Sequence, residues 1–232
     1  PELNDTEFAL YYMNYHSRTP VISGIASDFR TAAIQSDIAF LAANAGNITK
    51  DNVAGLKAMS KGLIEYPEDI KLYGFSFNTT LEGTSIAGEL AYRQDEPLQI
   101  DDVEILYAGM PEQLANAGLR PDLAGISQIG RYDGNKVQPG QFAQGYILAD
   151  TTQAQVTVTH LFGPVLNTDN FTLLAEIGGI KIKDMPHTDI LRLNGPNTDR
   201  SGYPLMGTNG VNGPLIVKTG LHTGLSDGAE TN

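Results

Sequence analysis

The chain has 232 residues, a net charge of −12 and a pI near 4.6. That acidic balance excludes phosphate-neutralising contact with nucleic acid and polybasic docking on anionic headgroups. With no cysteine, disulfide staples, thiolate catalysis and cysteine metal sites are excluded too.

The first predicted element is an aromatic-rich strand over 7–16, containing FALYYMNYH. Residues 17–26 read as a turn away from it. A helical loop insertion follows over 27–66. Ser27 is placed as the N-cap of a helix carrying Ala33, Ile34, Ile38 and Leu41 at helical spacing, ended by Gly46. A second helix is expected from Thr49, with Val53, Leu56, Met59 and Leu63 on one face and Gly62 and Pro67 bounding its end. The apolar residues Ile34, Ile38, Leu41, Val53, Leu56 and Leu63 are expected to face inward. They would plug a lumen, cap its mouth, or pack as a small subdomain.

Next comes a hairpin, IKLYGFSFNTTLEGTSIAGELAYRQDE. Its strands are predicted over 70–81 and 84–93, with a tight turn at Leu81-Glu82-Gly83-Thr84. A long irregular region spans 94–144 and carries an acidic cluster of Asp95, Glu96, Asp101, Asp102 and Glu104, with short helix signals after Pro111 and Pro121. Strands are predicted over 145–162 and 171–182. From 183 to 232, Gly, Pro, Asn, Thr and Asp dominate, and the segment reads as a long loop.

No apolar run reaches the ~18 residues of a transmembrane helix. The N-terminal PELNDTEF lacks a basic region and an apolar core, so no signal peptide is expected in this chain. Transmembrane strands need only about 9–11 residues and remain open as a reading.

Four of the five predicted strands are two-faced. In the hairpin, Tyr73, Phe75 and Phe77 share a face with Ile86, Leu90 and Tyr92. The opposite face carries Gly74, Ser76, Asn78, Ser85, Glu89 and Arg93. In the later strands, Ala154, Val156, Val158, Phe162, Phe171, Leu173, Ala175 and Ile177 alternate with Gln153, Gln155, Thr157, Thr159, Thr172 and Glu176. Alternation alone fits an antiparallel sandwich with one wet face per sheet as well as a barrel. The connections, however, alternate long (17–69), short (82–83), long (94–144), short (163–170) and long (183–232). Long loops at one end and short turns at the other favour a transmembrane β-barrel with partly helical loops on one side. The polar face is also poorer in charge than a typical wet sheet.

Three segments, TEFALYYMNYHSRTPVISG, YPEDIKLYGFSFNTTLEGTSIAGELAYRQDEPLQID and QAQVTVTHLFGP…LLAEIG, closely resemble the DUF1302 family. The resemblance covers residues 6–193 and is most specific at 66–101. It implies a mainly β protein of the bacterial outer membrane, and an internal portion of a longer barrel with a signal peptide upstream and an aromatic last strand downstream. It further implies a channel or transport component for small solutes, hydrophobic compounds among them. It supplies no catalytic residues.

On this reading the lumen is lined by Ser76, Asn78, Glu89, Arg93, Gln155, Thr157 and Glu176. Tyr73, Phe75, Phe77 and Leu90 face lipid. Tyr11, Tyr12, Tyr15, Tyr73 and Tyr92 would form an interfacial aromatic belt, unless they serve cross-strand packing. The expected partners are the lipid bilayer and a small solute, with divalent cations at the acidic loops as a secondary idea. No cofactor, catalytic residue or nucleic-acid partner is expected. The histidines His16, His160, His187 and His222 show no metal-ligand spacing. His187 beside Asp189 is a weak acid/base pair, and Ser85 and Ser201 lie outside any G-x-S-x-G motif. GTNGVNG, at 207–213, lacks the lysine and helix of a phosphate loop. The alternative is a soluble all-β binding or assembly module with helical insertions. A secreted hydrolase is a weaker third reading, because no nucleophile–base arrangement is evident.

Overall fold

The computed structural model describes residues 2–3, 6–134, 136–164, 170–187, 189–194 and 215–223. The first half of the chain forms β1 (Glu2–Leu3), β2 (Thr6–Tyr15), β3 (Val21–Ile25), α1 (Thr31–Ala43), α2 (Lys50–Ala54), β4 (Lys61–Glu65), β5 (Ile70–Leu81) and β6 (Thr84–Gln99). The second half forms α3 (Asp102–Gly109), α4 (Pro111–Asn116), a 3₁₀ turn (Pro121–Leu123), α5 (Ile129–Tyr132), β7 (Phe142–Ala143), β8 (Tyr146–Gly163), β9 (Phe171–Ile182) and β10 (Leu215–Thr223).

Seven strands make an antiparallel meander in the order β1-β2-β5-β6-β8-β9-β10. A smaller three-stranded sheet runs β4-β3-β7. The large sheet is open, and no closed barrel forms among the described residues. The hairpin register is the one that alternation predicts: Tyr73 pairs with Tyr92, Phe75 with Leu90 and Ser76 with Glu89. The turn is a two-residue one, with Glu82 at φ 45° and Gly83 at φ 81°. Both central residues are left-handed, as the twist of a tight hairpin demands. The meander connections through 82–83 and 164–170 are short, whereas those through 16–69, 100–145 and 183–214 are long. All three long connections leave the same end of the sheet.

That end holds the packed core. Ala26, Ile100, Ile105, Ala108, Ile129, Val137, Ala143, Leu191 and Leu193 form one buried cluster, with Leu98, Ile147 and Met185 against it. Each fully buried leucine or isoleucine contributes about 1.5–3 kcal/mol of hydrophobic stabilisation. The small sheet is clamped to the large one by Gln99. Its side chain accepts from Ile22 N at 2.6 Å and donates to Ile22 O at 2.9 Å and Gly145 O at 2.7 Å. Gly145 is required there, since a Cβ would lie 1.7 Å from Ile22 O.

Several expectations are corrected. Residues 21–25 form a strand rather than a turn, paired on both sides by β4 and β7. Ser27 does not cap a helix. Asp28 takes the Arg30 amide at 3.0 Å, so α1 begins only at Thr31, behind Arg30. The packed stripe of α1 is Ala33 and Asp37, not Ile34, Ile38 and Leu41, and Ile38 is exposed. Asp37 turns that face inward by accepting from Lys57 N at 3.0 Å and Ala58 N at 2.9 Å. Thr49 does cap a helix, through a reciprocal box with Asn52, but α2 has five residues and leaves Val53 exposed. Leu63 belongs to β4.

The strand predicted over 84–93 continues to Gln99 through a bulge between Arg93 and Glu96, where Asp95 takes φ 61°. The segment 183–232 is not all loop. Leu191 and Leu193 are core residues, Ile100 bridges to Leu193, and β10 adds a further strand along β9.

A two-faced sheet as the candidate functional site

The candidate functional surface lies on the large sheet, which no layer covers among the described residues. On one face, direct pairing assembles rows of apolar side chains. Phe8 pairs with Phe77, Leu10 with Phe75 and Tyr12 with Tyr73. The rows continue through Leu90–Ala154, Gly88–Val156 and Val156–Ile177. These side chains stand open: Leu10 is 85% exposed, Ile177 55% and Leu90 48%.

Aromatic rings mark both margins of this face. Tyr12, Tyr73 and Tyr92 form a ladder toward the long-loop end, with centroids 5.1 Å and 6.2 Å apart. Tyr92 also donates to Asp150 Oδ2 at 2.8 Å. At the short-turn end, Phe162 lies tilted against Phe171 at 5.4 Å and meets His160 edge-on at 4.3 Å. His160 Nδ1 shares a 2.6 Å hydrogen bond with Thr84 Oγ1. The belt expectation is narrowed here. Tyr11 and Tyr15 alternate onto the opposite face from Tyr12, so three of the five predicted tyrosines form the ladder.

The other face is polar and carries a groove. All seven predicted lining residues fall on it. Ser76, Asn78, Glu89, Gln155 and Thr157 line a groove of about 940 Å³, together with Glu7, Phe8, Ala9, Phe77, Ser85, Ala87 and Gly88. The register explains their convergence, since Ser76 pairs with Glu89, Glu89 with Gln155, and Thr157 with Glu176. Glu176 accepts from Thr157 Oγ1 at 3.3 Å at the groove's flank. Arg93 lies toward the long-loop end, donating to Gln153 Oε1 at 3.1 Å. Ser85, placed on the polar face of the strand predicted over 84–93, sits in β6 and donates to Asn78 Oδ1 at 3.4 Å.

For Tyr11 the structure favours the cross-strand alternative to the belt. Its hydroxyl donates to Glu89 Oε1 at 2.6 Å. Strict alternation through FALYYMNY would have separated it from Tyr12. Glu7 was missed, although it shares parity with Tyr11.

The acidic cluster is divided among separate structural tasks. Asp95 occupies the bulge and Glu96 accepts from Thr151 Oγ1. Asp101 caps α3 by accepting from Val103 N at 2.9 Å. Glu104 accepts from Gln128 N at 2.7 Å. Desolvation raises the carboxyl pKa of Asp101, Glu104 and also Glu112. Asp28 moves the opposite way, held down by its hydrogen bond to Arg30. Among the described residues, no group of three or more His, Asp or Glu side chains converges as a metal site would. No described helix is long and apolar enough to cross a membrane, which says nothing of strands.

His187 Nδ1 and Asp189 Oδ1 are hydrogen-bonded, and both side chains are almost fully exposed. Ser201 and residues 207–213 lie outside the described residues, as does the side chain of His222.

A family model described as "Protein of unknown function (DUF1302)" matches residues 1–221. No curated protein and no solved structure matches the chain.

Proposed function

We propose, for a chain that belongs to the DUF1302 family, that the meander is part of the wall of an outer-membrane β-barrel passing small solutes, apolar ones among them. The observation that carries this reading is the uncovered apolar face. A sheet stabilised in water buries such a face against a second layer. Among the described residues no layer covers Leu10, Phe75, Leu90, Val156 and Ile177, and lipid is the solvent that suits them.

The height of the face supports the same reading. From the tyrosine ladder, in register with Thr152, to Phe162 the strand rises ~34 Å, or ~25 Å along the membrane normal at a tilt near 45°. That is the height of the apolar band between aromatic girdles in outer-membrane barrels. Closing a barrel takes about eight strands or more, so further strands would join the open edges of the sheet.

The polar groove would then line the lumen, and transport would be passive. Lumen width, the polar lining and the packed long-loop subdomain at one mouth would decide which solutes pass. The turn at Glu82-Gly83 would lie on the periplasmic side.

The test uses the full-length protein. Extraction from envelopes by detergent, heat-modifiable electrophoretic migration and solute-permeable proteoliposomes are expected. Monodisperse behaviour in detergent-free buffer would instead identify a soluble β module.

A further inference from the structure

The groove on the polar face is uneven in charge. Its lining contains two carboxylates, Glu7 and Glu89, and neither lysine nor arginine. The Glu89 carboxylate is held by a built contact. The Tyr11 ring fills the space beside Gly74 so closely that a Cβ there would lie 2.0 Å from it. From that position the Tyr11 hydroxyl reaches Glu89 Oε1 at 2.6 Å. Tyr11 is on β2, Gly74 on β5 and Glu89 on β6, so the tyrosine spans an entire intervening strand. It can do so because Gly74 has no side chain to block it.

The nature of the partner matters. A lysine or arginine in Tyr11's place would cancel the charge of Glu89. A phenolic hydroxyl donates to the carboxylate and leaves its charge in place. No cation forms an ion pair with Glu89 among the described residues. Arg93, the basic residue of β6 on this face, is engaged with Gln153 nearer the long-loop end. Glu176 is one strand beyond the groove, hydrogen-bonded to Thr157. The backbone register in the Glu89 row runs on through Gln155 and Gly178 to Lys218 of β10.

We infer that Glu89 is a specificity-determining residue of the permeation path, that Tyr11 is its positioning residue, and that the path favours cationic solutes over anionic ones. This rests on the channel reading above and names the charge class that such a channel would select. A fixed carboxylate on a narrow, hydrated wall raises the local concentration of cations and repels anions. Glu7 adds to the same field, and Arg93 opposes it nearer the long-loop mouth.

The experiment measures reversal potential across planar bilayers holding the full-length protein under a potassium chloride gradient. The wild-type channel is expected to prefer potassium. Glu89→Gln should lower the cation-to-anion permeability ratio about threefold, and Glu89→Asp should retain most of it. Tyr11→Phe keeps the ring over Gly74 but removes the donor. It should lower the permeability ratio by less than Glu89→Gln does and leave the conductance unchanged, a split that a merely structural tyrosine would not cause. Arg93→Gln should sharpen the cation preference. Heat-modifiable migration of each variant verifies that its barrel is folded. Conductance with a reversal potential unchanged by Glu89→Gln overturns this inference and leaves the channel reading standing. A full-length protein that never conducts overturns both.

Discussion

Phe77 on β5 lies across its paired residue Gly88 on β6, so close that a Cβ on Gly88 would come within 2.3 Å of the ring. Tyr11 and Gly74 repeat the arrangement on the opposite face. An aromatic ring thus covers a glycine on each side of the sheet, restoring the packing that a glycine in a strand forfeits. Gly88→Ala should push the Phe77 ring out of place and cost about 1–3 kcal/mol. Combining it with Phe77→Leu should recover part of that loss, giving a non-additive double-mutant cycle. Urea unfolding from detergent micelles measures both.

Much of the large sheet was legible because its signal is periodic and local. In the β5–β6 hairpin, alternation and a two-residue turn fix the register, and Tyr73 meets Tyr92 as the pattern requires. The same parity placed Ser76, Asn78, Glu89, Arg93, Gln155, Thr157 and Glu176 on one face. The loop subdomain was far less legible, because its elements depend on distant partners. VISGI at 21–25 becomes a strand only through β4 and β7. Ser27 had the chemistry of an N-cap, but Asp28 captured Arg30 first. Leu191 and Leu193 lie in a polar tail whose composition masks two core positions.

The buried carboxylates make the loop subdomain sensitive to pH. Asp101, Glu104 and Glu112 are raised above their ordinary values, first by desolvation. A carboxyl with a raised folded-state pKa binds protons more readily when folded. Its stabilising contribution is therefore complete below the unfolded value and is lost as pH rises through the folded value. Amide protection in α3 and at Gln128 should increase as pH falls from neutral toward about 4.3, the ordinary glutamate value. At still lower pH, Asp28 opposes the trend, since its depressed carboxyl loses the Arg30 contact on protonation. Hydrogen exchange across that range checks the sign, and flat protection would contradict it.

Gln113 is fully buried on α4 and donates to Ala108 O at 2.8 Å and Val137 O at 3.0 Å. It ties α3 to the segment that leads into β7. Gln113→Leu preserves bulk but strands the Ala108 carbonyl and leaves Val137 O only the 3.5 Å contact from Asn116 Nδ2, and an unsatisfied buried group costs about 1–3 kcal/mol. The core around Ile105 and Val137 should loosen while the main sheet stays intact. Limited proteolysis should accordingly cut first within 110–140, with β5 and β6 protected.

The identity of the solvent on the apolar face is decided by a matched pair of charges. Ile177 on β9 stands on that face beside Val156, whereas Gln155 on β8 points into the polar groove. Ile177 is 55% exposed. In water, a lysine at so open a position changes stability by no more than about 0.5 kcal/mol. In lipid, near the middle of the apolar band, it costs about 2–4 kcal/mol. Gln155→Lys, on the wetted face, should cost little in either setting and should gain some attraction from Glu89 across the strand pair. Folding of both variants into lipid vesicles, followed by the heat-modifiable band, separates the two solvents. A large penalty at Ile177 with little at Gln155 is expected. Equal, small effects at both sites would place water on both faces and return the sheet to the soluble reading.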